Sequence, residues 1–433
     1  MLQYLQNFQN LPYVQFVLSQ LHLQSLLGIV AILALAWILS ENKHAFPFRT
    51  VVSGVALQIA LALLLLKVPV AREALYSLNG VVGALTTATR AGTSFVFGMV
   101  GGADPPFAVT NPKGLVNFAF GILPLVIVIS ALSALLWHWK ILPILVKAVA
   151  FVLRKLLGVG GAVGLGGGSM VFLGNVEGLL VIRPYLSKLT RAEMFILFTV
   201  GMAVCSGTVF VLYAMILKDV LPAALGHILV ASFLSLVSAI IIGRIIMPSD
   251  AGIDAVDQGS RYRSSMDSIA HGTEEGLKLY WQIIAMLVVV VALVALVNVI
   301  LANFPPVWGA PLTLQRVFGW MFAPVVWLIG VPWQQAPAAG SLLGLKTSLN
   351  EVIAYLSMAS LPKGTLDPRS MLIMVYALCG FANFSSVGIL IAGTSALVPE
   401  RRDEIVPLAL RALVSGTMAS CMTGAIVGLL PVV

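Results

Sequence analysis

Charge is scarce in this chain. Asp, Glu, Lys and Arg make up 10% of its 433 residues, against about 25% in soluble proteins. That is too little charge to coat a soluble fold, which excludes an ordinary soluble enzyme. The apolar surplus excludes a disordered chain and a collagen-like fibre. Cysteine is scarce too. Cys205, Cys379 and Cys421 stand far apart with no CxxC pair, which argues against a disulfide scaffold or structural zinc and reads them as small apolar residues. The histidines His22, His44, His138, His227 and His271 have no metal-ligand spacing. Only His227 falls in a candidate span, where a proton relay is the functional alternative to a core residue.

What is present is apolar. Hydrophobic residues make up 59% of the chain and the mean hydropathy is +1.01. The composition describes an all-α polytopic membrane protein. A crossing helix needs roughly 20 apolar residues. Eight stretches qualify: 23–39, 51–70, 116–137, 194–217, 222–247, 279–301, 371–397 and 407–433. Residues 1–22 contain no Lys or Arg, so the first is expected to be a span, not a signal peptide. The net charge of +8 reads as basic cytoplasmic loops, not as a nucleic-acid surface. With the N-terminus outside, fifteen Lys and Arg fall in inner segments and seven in outer ones, counting Arg261 as inner and Lys113 as outer. Both termini are therefore expected outside, which in a bacterium is the periplasm.

Some stretches are not simple spans. Residues 141–157 set Lys147, Arg154 and Lys155 against a Leu/Ile/Val face and read as an interfacial amphipathic helix. Residues 80–98 are its expected outer counterpart. Residues 248–276, with Asp250, Asp254, Asp257 and Arg261, read as a solvated linker.

Two apolar regions, 158–189 and 318–356, are interrupted by Gly and Pro and carry one acid each, Glu177 and Glu351. Irregular backbone is excluded from lipid, so these read as re-entrant hairpins lining a cavity within protein. The glycine run 158–168 fits neither GxGxxG nor the P-loop pattern and reads as hairpin backbone. The regions rhyme. Glu177 precedes Cys205-Ser206-Gly207-Thr208 by 28 residues, and Glu351 precedes Asn383, then Ser385-Ser386, by 32. Each half adds one further span. In the orientation above the hairpins enter from opposite sides, an inverted repeat, which is the sequence pointer to a transporter site.

An intramembrane carboxylate costs about 2.5–3.5 kcal/mol and is a functional candidate by default. The bland alternative is an ion pair, such as Glu351 with Lys346, and Lys346 itself reads as structural. Asn383 and Ser386 share a helix face. With Glu351 they suit the gripping of vicinal hydroxyls. Glu177 and Asn175 suit the edge of a polar heterocycle, and Phe381 a flat or sugar-like face.

The motifs FVFG (95–98), FAFGILPLVIVISAL, LGNVEGLLVIRPYL, GSLLGLKTSLNEVIAYL, YALCGFANFSSVGI (376–389) and LVPERRDEIVPLALRALVSGTMA resemble those of the concentrative nucleoside transporters, over about residues 25–430. The resemblance implies a homotrimer in the inner membrane and an elevator mechanism. A scaffold would comprise 1–157 and 248–315. A transport domain would comprise 158–247 and 316–433. It also implies site residues. Glu351, Asn383 and Ser386 fall on ribose-binding positions, and Phe381 on the adjacent aromatic. Glu177 falls on the base-side acid, Gly174, Asn175 and Val176 on the residues before it, and Val209 on an apolar base contact.

Two departures matter. Where the family usually has Gln-Thr, this chain has Asn175-Val176, which leaves purine against pyrimidine preference open. Where sodium-coupled members place an Asn seven residues before the acid and a Ser in the fourth span, this chain has Met170 and Val204. Hard cations need oxygen ligands, and the neighbouring Leu173 and Cys205 offer only carbonyls. A proton is then the expected coupling ion, carried by Glu177 or Glu351, with no other cofactor. The alternatives are a sodium-coupled or uncoupled carrier and, from another class, an intramembrane hydrolase using the two acids.

Overall fold

The computed structural model describes residues 12–107, 117–221, 223–248, 262–307 and 309–430. Among these the fold is helical throughout, with one isolated bridge between Val307 and Ala310. The first part comprises α1 (Pro12–Ile38), α2 (Phe48–Lys67), α3 (Pro69–Phe97), α4 (Leu125–His138) and α5 (Ile141–Leu157). A first hairpin follows, α6 (Gly161–Leu173), α7 (Asn175–Val181) and α8 (Arg183–Leu186). Next come α9 (Arg191–Ala203), α10 (Gly207–Leu217), α11 (Ala224–Ile246) and α12 (Ser265–Leu301). The last part comprises α13 (Leu314–Leu328), a second hairpin of α14 (Ala336–Ser348) and α15 (Glu351–Ala359), then α16 (Pro368–Leu378), α17 (Phe384–Leu397) and α18 (Arg402–Gly428).

Among the described residues, seven helical segments are long and apolar enough to cross a membrane. The remaining expected span, 371–397, is the broken pair α16–α17. The expected span 194–217 is likewise broken, between α9 and α10. Local chemistry places these ends. Thr190 and Glu193 form a reciprocal capping box at the start of α9. Asp367 caps α16 ahead of Pro368, and Asn383 caps α17.

The inverted repeat is visible in four arginine and carbonyl contacts. Arg401, just before α18, donates to the Leu186 and Leu189 carbonyls at the base of the first hairpin, at 2.9 and 2.7 Å. Arg369, at the start of α16, donates to the Leu21 carbonyl of α1 at 3.1 Å and to the Gly428 carbonyl of α18 at 2.6 Å. Helix α18 therefore runs from the base of one hairpin to the base of the other, so the hairpins enter from opposite ends. Helix α1 agrees. Its Leu21 end meets Arg369, and Glu41 beyond its other end pairs with Arg191 of α9 at 2.9 Å.

Two expectations are corrected. The second hairpin begins at Ala336, not at 318: residues 318–328 belong to α13, which carries Pro324 within it. Gly319 of α13 lies against Pro337, and Gly340 of α14 against the Gly319 carbonyl, so small residues let these two helices pack as a separate pair. Accordingly α13, directly before the second hairpin, is the counterpart of α5. Residues 80–97 of the expected outer helix lie in the 29-residue α3. Finally, residues 249–261 of the expected linker, with Arg261, lie outside the described residues, as does Lys113. The rest of that stretch from Ser265 is the first part of the 37-residue α12. At 1.5 Å per residue that helix is about 55 Å long, so its polar start extends past a hydrocarbon layer of about 30 Å.

The core lies where α9, α11, α16 and α18 meet, lined by wholly buried Phe195, Phe198, Ile240, Tyr376 and Met422. The two breaks cross there. Cys205 Sγ lies 3.1 Å from Cys379 Sγ. Gly380 holds φ +136°, and a Cβ on it would strike the Ala203 carbonyl. Only glycine fits that crossing. The broken backbone is satisfied internally: the Cys205 N–H donates to Ser232 Oγ at 3.1 Å, and Ser232 donates to the Cys205 carbonyl at 3.0 Å.

Candidate functional site

Both hairpin tips and both span breaks converge on one cavity of about 250 Å³. The first tip turns at Gly174, whose φ of +118° no side chain adopts easily. There the Asn175 Oδ1 accepts its neighbour Val176 N–H at 2.9 Å. The Glu177 carboxylate folds back over the turn, so that a Cβ on Gly174 would lie 2.8 Å from its Oε2. Its place in the first turn of α7 suits its charge.

At the second tip, neighbouring helices hold the acid. Asn350 caps α15 by accepting the Ile353 N–H at 3.0 Å. Glu351, 5% exposed, accepts the Tyr213 hydroxyl on Oε1 at 2.7 Å and the Asn383 amide on Oε2 at 2.9 Å. The Asn383 oxygen in turn accepts the Ser386 N–H at 2.8 Å. One carboxylate thus ties α10, α15 and α17 together. Each of its oxygens has a second lone pair, so the clamp keeps capacity to accept hydroxyl groups. Tyr213 is itself placed by Tyr355, with ring centroids 5.0 Å apart.

Eight of the nine residues expected to contact substrate line this cavity: Gly174, Asn175, Glu177, Val209, Glu351, Phe381, Asn383 and Ser386. Val176 does not. Its side chain packs on α17, where a Cβ on Gly393 would lie 2.6 Å from it, because a helical step of 100° turns it away from the face that presents Glu177. Reasoning from sequence missed Tyr213, Asn350, Gln282 and Met286, all in the lining. Tyr213 stands about two turns after Ser206 in an otherwise apolar run, a weak signal. The cavity continues along α4 and α12 past Ser130, Ser133 and Gln282 to Tyr262, Glu275 and Lys278.

At the positions compared with a sodium site, Met170, Val204 and Cys205 are completely buried, while Leu173 reaches the cavity. The Met170 sulfur lies against Gly201. The Cys205 carbonyl already accepts Ser232. Lys346, fully buried, donates to the Ala377 carbonyl at 2.9 Å and Ser420 Oγ at 2.8 Å, not to Glu351. His227 meets the Tyr376 hydroxyl at 3.1 Å, away from the cavity lining.

Two opposed hairpins and two broken spans around one shared cavity define an inverted-repeat transporter. The sequence comparisons make the class specific. Residues 227–428 match the family described as the Na+ dependent nucleoside transporter C-terminus, and residues 27–100 match its N-terminus. An uncharacterized transporter of Bacillus subtilis, YutK, is 35% identical over 94% of this chain and 99% of its own. The nucleoside permease NupC of Helicobacter pylori is 33% identical over 94% and 97%. The solved structure of CNTnw in an inward-facing substrate-bound state is 31% identical, with a TM-score of 0.86 over 94% of this chain and 97% of that one. The chain belongs to the concentrative nucleoside transporter family. It is a multi-pass membrane transporter, not an enzyme.

Proposed function

We propose that this protein imports nucleosides across the bacterial inner membrane by proton symport, as a homotrimer in the lipid bilayer whose hairpins and broken spans move as an elevator. The observation that carries this reading is the Glu351 clamp. A charged acceptor with fixed direction, Asn383 and Ser386 face one cavity with Phe381, which is the chemistry needed to hold the vicinal hydroxyls and flat face of a ribose. Glu177 and Asn175 stand on the opposite tip to meet the base. The moving unit comprises 158–247 and 329–433, and the scaffold 1–157 and 248–328, which keeps α13 with its counterpart α5. Both termini are periplasmic, and the cavity, extending toward Tyr262 and Lys278, is then in its inward-facing arrangement.

The donor set supports a proton. A thioether and an isopropyl group occupy the side-chain positions, and the Cys205 carbonyl is already engaged. None of the four positions, Met170, Leu173, Val204 and Cys205, offers a hard cation a side-chain oxygen. Proton carriage falls to Glu177 or Glu351, the two acids of the hairpin tips. Sodium coupling is the second reading, favoured by the description of the matched family. Purified protein in vesicles is expected to accumulate labelled uridine or adenosine and to release it chemically intact. Conversion of the nucleoside, or no specific uptake of either, refutes the reading.

A further inference from the structure

The transport cavity has two walls. The hairpin tips and the span breaks supply one. Helices α4 and α12, both outside the moving unit, supply the other. These two helices pack closely, because Gly272 and Gly276 of α12 lie against Ala131 and Ser130 of α4. From α12 the lining residues Lys278, Leu279, Gln282, Ile283 and Met286 form one stripe at helical spacing. Lys278 stands at its polar end, 2.6 Å from Glu274. Gln282 lies one turn further along, a rise of about 6 Å.

Gln282 breaks an apolar run. Between Leu279 and Leu301, α12 carries two carboxamides, Gln282 and Asn298. Asn298 holds the fold together: it donates to Gln315 Oε1 at 3.1 Å and accepts the Leu314 N–H at 2.8 Å, which fixes the start of α13. Gln282 is exposed on the cavity face, and its amide makes no hydrogen bond among the described residues. A carboxamide within a membrane crossing is costly unless a partner satisfies it. Facing a substrate cavity, it finds that partner in the substrate. An amide both donates and accepts, so it suits a carbonyl, ring nitrogen, amino or hydroxyl group of a nucleoside.

We propose that Gln282 is a substrate contact on the scaffold, hydrogen-bonding the nucleoside from α12 in the inward-facing arrangement and losing it when the hairpins carry it outward. The proposal rests on the nucleoside-transport and elevator reading above. A residue on the stationary part meets substrate in one arrangement only, so the contact tightens binding from the cytoplasmic face alone.

The test uses right-side-out and inside-out membrane vesicles from cells expressing the full-length protein. De-energised exchange of labelled uridine and adenosine gives the half-saturating concentration on each face. Wild type is expected to exchange nucleoside in both preparations. A neutral hydrogen bond is worth roughly three- to tenfold in affinity, so Gln282→Leu is expected to raise half-saturation on the cytoplasmic face by that factor and to change it less than about twofold on the periplasmic face. Gln282→Asn keeps the amide but draws it back by one methylene, and carries the same expectation should Gln282→Leu fail to reach the membrane. An equal change on both faces, or none on either, overturns the proposal, while wild-type exchange leaves the transport reading standing. Absence of exchange in wild type overturns both. A changed oligomeric mass in Gln282→Leu without a sided change in affinity assigns the amide to a contact between copies and also overturns the proposal.

Discussion

The two hairpins share one plan and carry different chemistry. Each follows a separate packing helix, turns at its tip, presents one acid there and precedes a broken span. Yet Glu351 is locked between Tyr213 and Asn383 at 5% exposure, while Glu177 is half-buried beside a glycine turn. Four residues before each tip cap the contrast repeats. Met170 precedes Gly174 and Lys346 precedes Asn350. The thioether packs on glycines, whereas the ammonium holds the Ala377 carbonyl at the end of α16. The second half thus carries its own cation where the first has an apolar group. A repeat conserves topology because packing demands it, while the polar fillings at the two tips diverge.

That contrast can be broken at Glu351. In Glu351→Gln an amide N–H replaces one acceptor and faces either the Tyr213 or the Asn383 donor. Losing a charge-assisted hydrogen bond costs roughly 1.5–3 kcal/mol, so nucleoside affinity is expected to fall ten- to a hundredfold while the protein stays monodisperse. Wild-type binding in this variant would remove Glu351 from the site. Tyr213→Phe removes one donor and leaves the acid in place. About tenfold weaker binding is expected, measurable by calorimetry, and no change would mean that the clamp is not used. The smallest effect belongs to the first tip. Val176→Thr, packed on Gly393, is expected to change a purine-against-pyrimidine competition profile by less than about twofold, whereas Asn175→Gln shifts it. A strong Val176→Thr shift would show that α7 turns during transport.

Sequence reasoning located the spans because a crossing helix imposes a run of about 20 apolar residues. It located both acids because charge in such runs is rare. It misplaced the start of the second hairpin because α13 is as apolar as the hairpin and carries Pro324. What separates them is the Gly319–Gly340 contact, a tertiary fact. Val176 was misread because its direction depends on the helical phase set by Gly174. The polar start of α12 was read as linker, although Glu274 and Lys278, 2.6 Å apart at helical spacing, were a visible sign of a helix. Tyr213 carries no periodic signal, and only the fold brings it to Glu351.

The driving ion is the most direct test of proton symport. Coupling requires that ion and substrate tighten each other's binding, and Met170 with Val204 gives sodium nothing to bind by side chain. Labelled nucleoside accumulation in proteoliposomes is therefore expected to be equal in sodium and choline, to rise with an imposed acid-outside gradient, and to collapse with a protonophore. Steep sodium stimulation at constant pH, indifferent to the protonophore, would contradict it.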